Sequence, residues 1–311
     1  MTTTILVDGN NLGMAAHFAS SELRDMDGRP VGAVFGFIRM LRAIVERAQI
    51  DEPTTNFKVA VAWDSKPTWR DDLLPEYKSS RKEGRTPELE KSLQEYGKQV
   101  PRLRAVLTTL GVHQLRAENF EADDIAGYVC KISPNVILVS GDKDWLQLVR
   151  PGVKVWQVTK GQFVTVDNFE AITAALIDSK KCGGCTPDQF TELLAIAGDT
   201  GDDVPGVKGV GMSTALLYVK GLSGEMPPLK GKKADAIAAW MTDPNGYTRS
   251  KTLVDLRNIY IPIANFKMTP GAYDPTAFMN ECIVYGFESI LKSIADWIRP
   301  FEAAPASLPV S

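Results

Sequence analysis

The carboxylates of this chain fall at places where folded proteins gather ligands. Asp8 directly follows the apolar run TILV, Asp64 follows VAVAW, and Asp142 follows VILVSG with Asp144 two residues on. Glu121, Asp123 and Asp124 crowd into FEADDIAG, and Asp199, Asp202 and Asp203 stand within GDTGDDVPG. Any one of these acids suits a turn or a helix cap. Acids at the ends of several strands, however, meet at one rim when the strands are parallel. Such a rim repels itself unless cations cancel the charge, and oxygen ligands of this kind suit hard divalent ions, Mg²⁺ above all. Two such ions form the clamp used for in-line phosphodiester hydrolysis. The same acids would also serve a calcium-stabilised site without catalysis.

The elements that must position these acids are legible as apolar patterns. Three continuous β-branched runs, 4–8, 57–64 and 136–142, read as strands of a parallel sheet buried on both faces. Helical spacing marks 32–49, 103–111 and 122–132, and alternation of the two kinds implies an α/β fold. VKVWQV and QFVTV around TKG suggest a hairpin at the sheet edge. The polar stretch 66–102, with Pro67, Pro75, Gly84 and Pro87, lacks a sustained apolar face and reads as a functional or mobile insertion. Thr186 with Pro187 opens a helix, TGDDVPGVKGVG follows, and MSTALLYVKGL makes a second helix, which is helix–hairpin–helix organisation. Residues 221–250 read as loops, 251–301 as mostly helical, and 303–311 as a disordered tail. The α/β core is expected over 1–180 and the helical region over 181–302.

Composition narrows the function classes. The chain has 311 residues, 44% hydrophobic and 23% charged, with net charge −3, so a polyanion site must be a local patch. No apolar run reaches membrane-spanning length, the N-terminus does not read as a secretory signal, and four cysteines fit a reducing, cytoplasmic setting. The CGGC pair, Cys182 and Cys185, has no second ligand pair nearby and reads as a loop with two thiols. Two histidines, His17 and His113, make a histidine-based triad or zinc site a poor fit and read as packing residues.

Two local patterns suit nucleic acid. The insertion interleaves Arg70, Lys78, Arg81, Lys82 and Arg85 with Trp69 and Tyr77, cations for phosphates and aromatics for unpaired bases. A solvated charged face would look the same. GVKGVG, with Gly206, Lys208, Gly209 and Gly211, lies between two helices, where glycine lets backbone amides approach a phosphate.

In combination, ILVDGNN, GRPVGAVFGFIRML, AWDSKPTWRDDLLPEYKSSR, FEADDIAG, VSGDKDWLQLV and AGDTGDDVPGVKGVGMSTALLYVKG resemble the structure-specific 5′ nuclease family. That family comprises flap endonucleases, the 5′-nuclease domain of bacterial DNA polymerase I and phage 5′–3′ exonucleases. The resemblance spans nearly the whole chain, which is too short to include a polymerase and is similar to the free-standing form. It implies a PIN-like core with a mostly parallel sheet, a helical arch at about 66–104, and a monomer acting on DNA with a free 5′ end or 5′ flap. It implies Asp8, Asp64, Glu121 and Asp123, with Asp124 beside them, at a first Mg²⁺, and Asp142, Asp144, Asp199 and Asp202 at a second, Mn²⁺ being a substitute. Lys78 would contact the scissile phosphate, with Tyr77 its aromatic neighbour and Arg81, Lys82 and Arg85 in support. The carbonyls of Ile196, Ala197, Pro205, Val207 and Val210 would hold a K⁺ beside the duplex. A PIN-type ribonuclease and a non-catalytic DNA-junction binder are the competing readings of the same acids.

Overall fold

A computed structural model describes residues 2–178 and 182–302, apart from the Lys82 side chain. The expected tail, 303–311, lies outside the described residues. Strands β1 (Thr2–Asp8), β2 (Asn56–Trp63), β3 (His113–Ala117), β4 (Val136–Ser140), β5 (Val153–Gln157), β6 (Gln162–Val164) and β7 (Phe266–Thr269) form one sheet in the order β6-β5-β4-β1-β2-β3-β7. The five central strands are parallel, and β6 and β7 close the two edges antiparallel. The hairpin expected at the edge is therefore β5–β6. β3 was not apparent in the sequence, because HQLRA has no β-branched residue.

Alternation within the strands splits the core into two layers. Leu6, Ala60, Ala62, Leu115 and Leu138 face one side, and Ile5, Val7, Val59, Val61, Ile137 and Val139 the other. Helices α1 (Gly9–Ala19), α2 (Gly32–Asp51) and α5 (Pro87–Thr109) cover the second side with Leu12, Phe37, Leu41, Leu103 and Val106. On the way to α5 run two short helices, α3 (Trp69–Leu73) and α4 (Ser80–Glu83). The first side is covered by α6 (Ala122–Ile132), whose bounds match the sequence reading, by α7 (Phe169–Ile177), and by α8 (Pro187–Ala197) and α9 (Met212–Leu222). Each fully buried Leu or Phe here contributes about 1.5–3 kcal/mol.

Two sequence expectations give way. The stretch 66–102 does not lack an apolar face throughout: α5 begins at Pro87, capped by Thr86, and buries Tyr96, Gln99 and Leu103 at helical spacing. Pro101 and the polar outer face disguised this pattern. Residues 221–250 are not mainly loop, because α10 (Lys232–Thr242) and the first half of α11 (Tyr247–Val254) lie there. The chain then returns to the sheet through β7, and α12 (Pro275–Val284), α13 (Glu288–Leu291) and α14 (Ile294–Ile298) pack Phe278, Ile290 and Trp297 against the α2–α5 side.

Candidate metal and nucleic-acid site

Parallel strands send their carboxyl ends to one edge, and the acids follow. Asp8 ends β1 and caps α1, accepting from Asn11 N (3.0 Å) and Ser140 Oγ (3.0 Å). Asp64, just past β2, accepts from Asn10 Nδ2 (2.7 Å) and from Ala122 N (2.8 Å) at the start of α6. Beyond β4, Asp142 caps a 3₁₀ turn over Lys143–Leu148 and accepts from Asp144 N (2.9 Å). Glu121 is the N-cap of α6, in a capping box with Asp124, and Asp123 in the first turn accepts from Trp145 Nε1 (2.7 Å). Asp199, Asp202 and Asp203 occupy the turn between α8 and the hairpin, where Asp199 bridges Val204 and accepts from Gly201 N (3.0 Å).

The electrostatics tie these acids into one field. Burial pushes the Asp8 carboxyl up to about 7, with Asp64 and Asp142 adding to the rise against the Asn11 hydrogen bond. Burial likewise raises Asp144 to about 7, helped by Asp142, Asp199 and Asp202 and opposed by Lys143. Asp123 lies well above the usual carboxylate range through burial, Asp142 and Asp8. Asp144 Oδ1 is buried without a hydrogen-bond partner. Crowded oxygen donors, one of them unsatisfied, fit a hard divalent cation. Among the described residues, however, no three His, Cys, Asp or Glu side chains are drawn together into a set that could hold a metal ion as they stand. Several of these acids are instead paired with the chain's own cations.

Those cations reach in from the arch segment and the 3₁₀ turn. Lys78 Nζ lies 2.8 Å from Glu121 Oε1 and 3.4 Å from Asp202 Oδ2. Burial works against the Lys78 ammonium, but Glu121, Asp202 and Asp123 outweigh it and raise its pKa. Its backbone is left-handed (φ 56°) and its N–H donates to Asp202 O at 3.0 Å, which fixes the segment to the hairpin turn. Arg81 pairs with Asp202 and donates to Gly201 O (2.9 Å), and Ser80 N donates to Asp203 Oδ2 (2.8 Å). Lys143 Nζ joins Asp199 (2.9 Å) to Asp144 (3.6 Å).

Four residues sit differently from the sequence reading. Arg70 is not offered to a phosphate: it is 2% exposed, grips Asp124 with both terminal nitrogens at 2.8 Å, and donates from Nε to Leu253 O at 2.9 Å. Asp124 is correspondingly engaged by Arg70, by Trp69 Nε1 (3.3 Å) and by Glu121 N (2.8 Å), so it braces the rim rather than opening onto it. Tyr77 is buried, its hydroxyl donating to Glu121 Oε2 (2.8 Å) with Asp202 Oδ2 at 3.1 Å, so its ring is not presented for stacking. Arg85 is turned to Glu90 (3.0 Å) and Arg81 O (3.1 Å). The Lys82 side chain lies outside the described residues.

The hairpin is compact. A Cβ on Gly206 would lie 2.2 Å from Ala197 C and O, so no other residue fits there without moving backbone. Gly209 turns with φ 74°, and Lys208, Gly209 and Gly211 are exposed at the start of α9. Of the carbonyls expected at a K⁺, that of Ile196 accepts from Val207 N (2.9 Å), that of Val207 from Val210 N (3.0 Å), and that of Pro205 from Ser250 Oγ (2.7 Å). A carbonyl oxygen has two lone pairs, so these bonds leave room for a further contact.

Sequence reasoning did not single out Asn10, Asn11, Ser140, Lys143 or Trp145, which hold the acids. The only signal was proximity, since all five lie within three residues of an acid in the motifs ILVDGNN and VSGDKDW. His17 and His113 pack as expected: His17 contacts Ser92 Oγ (2.9 Å) and His113 accepts from Gly271 N (3.2 Å). Cys182 and Cys185 are buried thiols in a loop.

With this geometry in view, the chain can be set beside known proteins. The model of the 5′-3′ exonuclease N-terminal, resolvase-like domain matches residues 3–174. DNA polymerase I of Chloroflexus aurantiacus is 35% identical over 225 residues, covering 70% of this chain and 22% of that protein. DNA polymerase I of Mycobacterium tuberculosis is 32% identical over 267 residues, covering 82% and 27%. The chain thus spans about a quarter of the length of these curated relatives. Among solved structures, the T5 D15 protein co-crystallised with metal ions superposes with TM-score 0.62 at 21% identity, over 96% of this chain and 99% of that one. The catalytic core of Rad2 in complex with DNA substrate superposes with TM-score 0.51 at 12% identity, over 96% and 92%. Both share the fold.

Proposed function

The chain belongs to the 5′-3′ exonuclease family with a resolvase-like N-terminal domain, and on that footing we propose that it is a divalent-metal-dependent, structure-specific 5′ nuclease. Its substrate would be DNA with a free 5′ end or 5′ flap, hydrolysed near the junction of single and double strand in replication or repair. The observation that supports this reading most is that burial and neighbouring acids together raise Asp8, Asp123 and Asp144 at the carboxyl end of the parallel sheet, where Asp144 Oδ1 makes no hydrogen bond. A rim so disfavoured in its charged form persists where bound cations repay it.

Asp8, Asp64, Glu121 and Asp123 would hold one Mg²⁺, and Asp142, Asp144, Asp199 and Asp202 another, with Mn²⁺ able to replace either. Bound there, the ions supply Lewis-acid activation of water and neutralise charge on the phosphoryl oxygens. The chain's own residues do the rest. Lys78, kept protonated by Glu121 and Asp202, carries a positive charge to the mouth of the rim, where the non-bridging oxygens of the scissile phosphate would meet it. Arg81 holds Asp202, and Asn10 and Asn11 hold Asp64 and Gly141 in place. The exposed amides of Gly209 and Gly211 with Lys208 would grip the duplex phosphates, beside a K⁺ on the hairpin carbonyls. No helix among the described residues is long and apolar enough to cross a membrane; a cytoplasmic monomer is the setting we propose. A 5′-labelled flap duplex incubated with the pure protein tests the function: cutting in Mg²⁺ that stops with chelator is expected, and no cutting at any Mg²⁺ or Mn²⁺ level sinks the reading. Titrating K⁺ against Na⁺ in duplex binding tests the monovalent site.

A further inference from the structure

Behind the acid rim, between the foot of the arch and α11, lies a cleft of about 540 Å³. Four aromatic residues line it: Trp69, Phe120, Tyr247 and Tyr260. Its two charged lining residues are already committed. Lys251 Nζ sits 2.6 Å from Glu192 and 3.0 Å from the Tyr247 hydroxyl. Asp255 accepts from Arg257 N and Asn258 Nδ2, both at 2.9 Å. A cleft with aromatic walls and internally paired charges offers stacking and little hydrogen-bond readout. Its aromatic walls therefore suit a flat, uncharged ring better than a phosphate.

Two walls of the cleft adjoin residues of the acid rim. Trp69 forms one wall while its Nε1 lies 3.3 Å from Asp124, and its N–H donates to Asn119 O at 3.0 Å. Phe120, another wall, is joined directly to Glu121. The Arg70 guanidinium sits 4.4 Å from the Trp69 ring centroid, so that ring is ordered in advance of any ligand. Tyr260 is 75% exposed, a large aromatic left in water at the mouth.

Building on the nuclease reading, we propose that this cleft receives an unpaired nucleobase of the 5′ strand, beside the phosphate to be cut, and holds it by stacking without regard to its identity. Sequence-tolerant stacking is what an enzyme that reads strand structure needs. The test is binding, in chelator, of a 5′-flap duplex carrying 2-aminopurine at the first unpaired position. Wild-type protein should quench the probe. Tyr260→Ala should bind that flap about tenfold more weakly, within the range of one stacked base, and quench it less. Tyr260→Phe should keep wild-type affinity. Against a flap with an abasic site at that position, wild type and Tyr260→Ala should bind equally. Equal affinity of wild type and Tyr260→Ala for the base-bearing flap overturns the proposal, as does an equal loss on the abasic flap. The readout is affinity, so a protein that binds in this way without cutting indicts the nuclease reading alone, and one that cuts while failing this test indicts the cleft alone.

Discussion

The acid rim and the arch segment over it, residues 66–86, are held by different forces. The rim carboxylates are fixed by the sheet and by neutral donors: Asn11 N and Ser140 Oγ for Asp8, Asn10 and Ala122 N for Asp64, Trp145 for Asp123. These donors are neutral, so the contacts do not require a cation. The arch is held largely by the acids themselves, through Lys78 to Glu121 and Asp202 and Arg81 to Asp202. The rim is thus a rigid frame carrying charge it does not favour, and the arch is a set of cations resting on that charge. Anything that changes the charge should leave the first in place and release the second.

The sharpest test removes charge from the rim. Asp142→Ala and Asp199→Ala should each lower the cutting rate on the order of a thousandfold, while flap affinity by anisotropy stays close to wild type. Cutting at the wild-type rate by either variant would show that the second set of acids is misassigned.

Arg70→Met breaks the comparison from the other direction, because Arg70 belongs by sequence to the arch and by contact to the frame. Removing it leaves Asp124 buried and unpaired, which costs roughly 3–5 kcal/mol. Denaturant melts should show that loss, and Lys78→Met, whose ammonium is nearer solvent, should show a much smaller one. Equal losses would mean the two regions are held alike.

These contacts also explain what could be read from sequence. β1, β2 and β4 were evident because each is buried on both faces and carries a continuous apolar run, and their ends located Asp8, Asp64 and Asp142. β3 was hidden because His113 and Gln114 stand in it; Gln114 is buried there and accepts from Trp63 Nε1 at 2.6 Å, a partner 51 residues away. Arg70 and Asp124 lie 54 positions apart, so nothing local distinguishes Arg70 from the cations that face solvent. Position along a strand is a local property, whereas the choice of ion-pair partner is a tertiary one.

A change of pH acts through the raised acids of the rim. Asp8 and Asp144 keep their protons to about 7 in the folded protein, whereas an unfolded aspartate releases its proton near 3.9. Over that interval the unfolded chain binds fewer protons, so rising pH favours unfolding. The contribution is fully present below about pH 4 and lost as pH passes 7. In chelator, the melting temperature should fall between about pH 5 and pH 8, and millimolar Mg²⁺ should restore it at the upper end and do little at the lower. A melting temperature that stays flat in chelator would count against the raised acids.

The smallest effect is expected where neither rim nor arch is touched. Lys208 is exposed on the hairpin, away from the acids, and its charge should act on DNA through a phosphate alone. Lys208→Ala should weaken duplex binding by a few-fold for every sequence, and should reduce the slope of log affinity against log salt by about one. The cutting rate at saturating DNA should not change. A variant that keeps the wild-type salt slope would place the duplex elsewhere; one that loses cutting rate at saturation would mean that the hairpin does more than hold DNA, and that the turn through Asp199 and Asp202 carries its grip into the rim.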